Sequence, residues 1–78
     1  MSRFKKIIAR ILKIKTSKID DRLSPESVKN WDSFRGLLLI TEIEKVFRIK
    51  FSMEEILSIK NIGDIRNILR KHNIDPDA

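Results

Sequence analysis

The chain has 78 residues, 41% of them hydrophobic, which suffices for one small domain with a single modest core. It has no cysteine and one histidine, His72, so a disulfide framework, a zinc cage, a Ser-His-Asp triad and a Cys-His pair cannot be built from it alone. The formal net charge of +6 is uneven: residues 1–18 hold seven basic side chains and no acid, and the remaining sixty hold ten basic and eleven acidic ones. Such a segment can attract nucleic acid, an anionic membrane surface or an acidic protein.

Phe4, Ile7, Ile8, Ile11 and Leu12 fall at helical spacing opposite Lys5, Lys6, Arg10 and Lys13, which predicts an amphipathic first helix over 2–14. Arg10 and Lys13 break the apolar run that a secretory leader needs. A mitochondrial leader, basic and free of acid, fits this segment less well than an integral helix does. No stretch approaches a membrane span, and the expectation is a cytoplasmic, monomeric protein without stable membrane insertion. Residues 15–30 form a long connection with the turn Ser24-Pro25-Glu26-Ser27 at its centre, anchored by Ile19, Leu23 and Val28.

Asp32 or Ser33 caps a second helix that continues through Phe34, Leu37, Leu38, Ile40, Thr41, Val46 and Phe47, the most apolar and most buried of the set. Glu44 and Arg48 stand four apart in the favourable orientation. Gly36, in the first turn, weakens the helix by roughly 1 kcal/mol relative to alanine, and close approach of another group is the usual reason for such a residue. Ser52 and Glu55 have capping-box spacing and open a short third helix that ends near Leu57 or Ser58, with Met53 as a gap-filler. Asn61 caps a fourth helix with Ile62, Ile65, Ile68 and Leu69 as its stripe and Asp64 in its first turn. Arg70, Lys71 and His72 suit its C-terminal end, where His72 reads as solvated. The chain from Asn73 onward reads as a frayed tail of a single domain over 1–78. The stretch 48–51 is too short for a strand. The class is all-α: a four-helix bundle of three longer helices and one short one, with a long loop between the first two.

The most informative stretch is Asn30-Trp31-Asp32-Ser33-Phe34, at the end of that loop and the start of the buried helix. A serine there projects its hydroxyl into solvent beside the positive end of the helix, where a phosphate on the oxygen is stabilised by free N–H groups. No general base lies nearby in sequence, so an external transferase has to activate Ser33. The plainer alternative makes Ser33 a helix cap, Trp31 a staple of the loop on the bundle and Phe34 a core anchor.

The triplet Asp32-Ser33-Phe34, after a long first helix and a long loop, resembles the opening of the second helix in the acyl carrier protein family. Residues 37–47, the run 49–56 and Asn61-Ile62-Gly63-Asp64-Ile65 resemble the rest of that family's pattern, so the likeness covers nearly the whole chain. It implies an acyl-carrier-type four-helix bundle and a carrier, not an enzyme. A phosphopantetheinyl transferase then moves 4'-phosphopantetheine from coenzyme A onto Ser33, with Asp32 helping to hold the metal ion of the transfer complex and Phe34 flanking the site. The arm carries an acyl group as a thioester to acyl-loading and acyl-using enzymes, as in fatty acid biosynthesis and lipid metabolism. An apolar cleft between the second and third helices shelters the chain, with Leu37, Ile40, Ile56, Ile59 and Ile62 as its lining. The exposed face of the second helix, here Arg35, Leu38, Glu42 and Lys45, docks partners. That face is usually acidic in the family, and Arg35 and Leu38 depart from the pattern, which implies a specialised stand-alone carrier with dedicated partners.

A peptidyl or D-alanyl carrier would share the same anchor and bundle. A non-carrier module would instead use the basic first helix, on duplex DNA with a steep salt dependence or on anionic vesicles. The first helix lacks the interleaved exposed aromatics of a nucleic-acid surface, and the carrier reading expects no nucleic-acid partner.

Overall fold

Ser2 opens the fold as an N-cap, its Oγ accepting from the Lys5 N–H at 3.2 Å, and α1 runs over Arg3–Leu12. The computed structural model describes residues 2–77, and the remaining helices are α2 over Ser33–Phe47, α3 over Met53–Ser58 and α4 over Ile62–Lys71, with a 3-10 turn at Thr16–Lys18. There is no strand among the described residues. The expected all-α layout of three longer helices and a short one is the layout observed.

α1 ends two residues before the predicted limit of 14. Lys13 takes a left-handed conformation at φ 55, and the Ile14 N–H returns to the Ala9 carbonyl at 3.1 Å. The same device closes α2 at Arg48 with Ile49, and α4 at Asn73 with Ile74. Each is a Schellman ending with an isoleucine just beyond the left-handed residue. Arg48 at the turn makes no ion pair with Glu44 among the described residues. Glu44 instead accepts the Phe51 N–H at 2.8 Å and fixes the chain's path toward α3.

The core joins Phe4, Ile8 and Leu12 of α1, Leu39 and Ile43 of α2 and Ile62, Ile65 and Leu69 of α4, all at most 1% exposed. α3 contributes no fully buried residue and is held at its ends by polar bonds. Its predicted capping box forms, with the Ser52 Oγ accepting the Glu55 N–H at 3.0 Å and the Glu55 Oε1 accepting the Ser52 N–H at 2.8 Å. Glu55 Oε2 also takes the His72 Nε2 at 3.1 Å, and the imidazole stacks on Phe51. His72 is therefore half-buried and ties α3 to the end of α4, in place of the solvated position expected.

The long connection is bound along its length. Ile19 and Val28 are buried and Leu23 half-buried, as expected of anchors. The Leu23 and Asp21 carbonyls accept the Ile62 and Gly63 N–H groups, both at 3.0 Å, so the loop caps α4. A Cβ at Gly63 would lie 3.1 Å from the Asp21 Cβ and 3.2 Å from its carbonyl oxygen, so glycine permits this approach. Arg66, 7% exposed, gathers three segments: its Nε donates to Asp21 at 2.8 Å, its Nη1 donates to Asp77, and its guanidinium lies over the Phe4 ring. Burial lowers its pKa, but the two carboxylates outweigh this and raise it above its ordinary value.

The tail expected to fray from Asn73 onward is packed over 74–77. Pro76 is fully buried, its carbonyl accepts the Ser2 hydroxyl at 2.7 Å, and Asp77 meets Arg66.

Candidate functional site

At the start of α2 the capping role falls to Asp32. Its Oδ1 accepts the Arg35 N–H at 2.8 Å and its carbonyl accepts the Gly36 N–H at 2.8 Å. Ser33 is the first residue of the helix proper and is exposed, and its hydroxyl has no hydrogen-bond partner among the described residues. The plainer expectation, that Ser33 is the cap, is thus not met. The backbone N–H groups of Ser33 and Phe34 also lack a protein partner there, and together with the α2 dipole they favour an anion on the Ser33 oxygen.

Beside Ser33 opens a cleft of about 680 Å3 between α2, α3 and the end of the long connection. Of the residues named as lining for an acyl chain, Leu37, Ile40, Ile56 and Ile59 stand on its wall. Ile62 does not: it is the first residue of α4, 0% exposed and turned into the core beneath Leu23, whose carbonyl takes its N–H. The wall also includes Trp31, Gly36, Leu39 and Ile65. Ser33, Gly36, Leu37 and Ile40 share one side of α2 by helical spacing, so the glycine one turn beyond Ser33 was the available sequence signal. A Cβ at Gly36 would stand 3.2 Å from the Trp31 Nε1, and the group whose approach the glycine allows is this indole. Trp31 is the staple it was read to be, 7% exposed. The cleft wall is aliphatic apart from the Trp31 indole, Asp32 and Ser33 stand at its mouth, and its volume suits a small organic group. Such a site fits a group anchored on Ser33 through a phosphate and carrying an apolar extension.

The face expected to dock partners divides into two stripes. Arg35 and Glu42, seven residues apart, lie on the side of α2 turned to α1. The Arg35 Nη1 donates to the Ile11 carbonyl at 2.9 Å, beside Asn30, which donates to the Leu12 carbonyl at 3.1 Å. Glu42 pairs with Arg10 at 3.1 Å. Both are bound into the fold. Leu38 and Lys45 remain exposed, and with them stand Phe34 at 68% and Leu37 at 61%. Phe34 is therefore no core anchor. Met53 and Leu57 of α3 are also exposed, at 67% and 76%, so Met53 fills no gap and the rim of the cleft is apolar on both helices.

No helix among the described residues is long and apolar enough to cross a membrane. Of known families, the phosphopantetheine attachment site model matches residues 2–69. Among solved structures, a candidate acyl carrier protein from Mycobacterium tuberculosis is similar, with a TM-score of 0.78 and 28% sequence identity over 88% of this chain and 92% of that one. No curated protein matches the chain.

Proposed function

This chain belongs to the phosphopantetheine attachment-site family, whose acyl carrier proteins are carriers and not catalysts, and we propose that Ser33 is its point of attachment. One observation carries the reading: Asp32 caps α2, which leaves the Ser33 hydroxyl exposed, unbonded and at the mouth of an apolar cleft. In the transfer, the Ser33 Oγ forms a bond to the β-phosphorus of coenzyme A. The pyrophosphate P–O bond breaks, adenosine bisphosphate leaves, and the serine proton passes to a base of the transferase. Asp32 would help to hold the divalent ion of that complex, which would stabilise the charge on the departing pyrophosphate oxygen. Once bound, the group supplies a thiol that holds cargo as a thioester.

The cargo is an acyl group whose chain lies in the cleft against Leu37, Ile40, Ile56 and Ile59. Acyl-loading and acyl-using enzymes meet the apolar rim of Phe34, Leu37 and Leu38, with Lys45 beside it. Because Glu42 is paired with Arg10, this rim offers little free acid. The protein accordingly works as a specialised carrier with dedicated partners. In a docking assay a housekeeping ketosynthase should bind it poorly, and binding as tight as to that enzyme's own carrier would refute the specialisation.

Attachment is tested by intact-protein mass spectrometry after incubation with coenzyme A, magnesium and a permissive phosphopantetheinyl transferase. The expected result is a gain of one phosphopantetheine that is absent in Ser33→Ala. A folded chain that gains nothing with several transferases, or gains it in Ser33→Ala, refutes the assignment.

A further inference from the structure

Trp31 is 7% exposed, yet its indole N–H is given no acceptor among the described residues. Every fully sealed side-chain N or O atom there has a partner, so the Trp31 Nε1 is open, and the space that Trp31 lines is the cleft beside Ser33. Its position is set by Gly36, whose missing Cβ would stand 3.2 Å from Nε1. The donor edge therefore lies against α2 one turn past Ser33, next to Leu37 and Ile40.

Around this donor the cleft wall is aliphatic: Leu37, Leu39, Ile40, Ile56, Ile59 and Ile65. Burying a polar group there is costly unless it finds a partner, and a wall with one inward donor can satisfy one acceptor. The pantetheine arm, with two amides and a hydroxyl, would leave several groups unpaired. A hydrocarbon chain with a single carbonyl at its head fits the wall. Resting on the assignment of Ser33 as the attachment point, we infer that the Trp31 N–H donates to the carbonyl oxygen at the head of the thioester-linked acyl group. Trp31 is thereby a positioning residue for the cargo, and the hydrogen bond fixes where the chain turns into the cleft. A site that satisfies a donor this way discriminates against a ligand lacking the acceptor.

The chain has one tryptophan and so one indole N–H resonance. The full chain is loaded with the bare arm, with an S-octanoyl arm and with an S-octyl thioether arm that has the same hydrocarbon length without the carbonyl, loading being checked by mass. The indole proton should move downfield in the octanoyl form relative to both others. Equal movement in the octyl form would reduce the contact to apolar packing, and movement already complete with the bare arm would make the arm the acceptor; either overturns the inference. Failure to load at all would appear in the mass and would sink the Ser33 assignment itself, and this inference with it. As a second readout, Trp31→Phe keeps an aromatic ring on the wall and removes the donor. In the octanoyl form of Trp31→Phe the 13C resonance of the thioester carbonyl should lie upfield of its place in the parent chain, because a donated hydrogen bond deshields that carbon, and an unmoved resonance in a folded variant would overturn the inference.

Discussion

Replacing Asp32 and Ser33 one at a time separates the cap from the proposed attachment point. Asp32→Ala removes the acceptor of the Arg35 N–H, a bond of 2.8 Å, at a cost of about 1 kcal/mol. It also removes an acid from the positive end of α2, a further loss of roughly 0.3–0.5 kcal/mol at an exposed site. For a domain of 78 residues, 1 kcal/mol corresponds to about 4–8 °C in Tm, so Asp32→Ala should melt roughly 5–10 °C below the parent chain. Ser33→Ala removes a hydroxyl that bonds to nothing among the described residues and substitutes a better helix former, so stability should stay within about 0.5 kcal/mol. Asp32→Asn keeps the cap, since asparagine serves there as well as aspartate, but it loses the charge; it should melt close to the parent chain while loading phosphopantetheine more slowly. Urea and thermal unfolding followed by circular dichroism give the stabilities, and mass spectrometry gives the loading. A loss in Ser33→Ala equal to that in Asp32→Ala would make the hydroxyl a cap and refute the reasoning.

Four further outcomes follow from other parts of the fold. Arg35→Leu removes the donor to the Ile11 carbonyl and should lower stability by about 1 kcal/mol in urea unfolding; an unchanged midpoint would return Arg35 to the free surface. Lys13→Gly and Arg48→Gly relieve left-handed residues and should each raise stability by up to about 1 kcal/mol, whereas a loss would mean that their side chains matter more than their backbone. Gly63→Ala drives a methyl group against the Asp21 backbone and should cost about 1–3 kcal/mol, with a neutral result showing that the loop yields easily. Glu55 is held below the ordinary glutamate value of 4.5, first by the Ser52 N–H and then, against burial, by His72 and Lys71. Its contribution is complete above that ordinary value and is lost as pH falls through the lowered folded one. Glu55→Gln should flatten the acid limb of the urea midpoint against pH, and parallel curves for both chains would refute the assignment.

The features legible in the sequence are those that neighbours in the chain determine. Ser52 with Glu55, Asn61 ahead of Ile62 and the apolar spacing of α1 and α4 gave helix starts and inward faces because caps and stripes act over three or four residues. The end of α1 was misjudged because Lys13 takes the left-handed place that glycine usually marks; the isoleucine after it was the remaining clue. The core-anchor alternative for Phe34 failed because an apolar residue in a buried helix reads as core until it is known which side meets α1. Arg35, Glu42 and His72 were given to solvent for the complementary reason: their partners, Ile11, Arg10 and Glu55, are distant in sequence. At the site, the position of Ser33 could be read from its triplet. The division of work between it and Asp32, and the inward turn of Ile62, depend on backbone geometry that no spacing encodes.

The bond between the Ser2 hydroxyl and the Pro76 carbonyl, with Arg66 joining Asp77 to Asp21 and lying on Phe4, makes the fold a closed circuit. Fraying from residue 2 breaks a contact with residue 76, and loosening Asp77 withdraws a partner from the cation that also secures the long connection. The described segments before Phe4 and after Asn73 should therefore exchange their amide hydrogens with the cooperative unit rather than ahead of it.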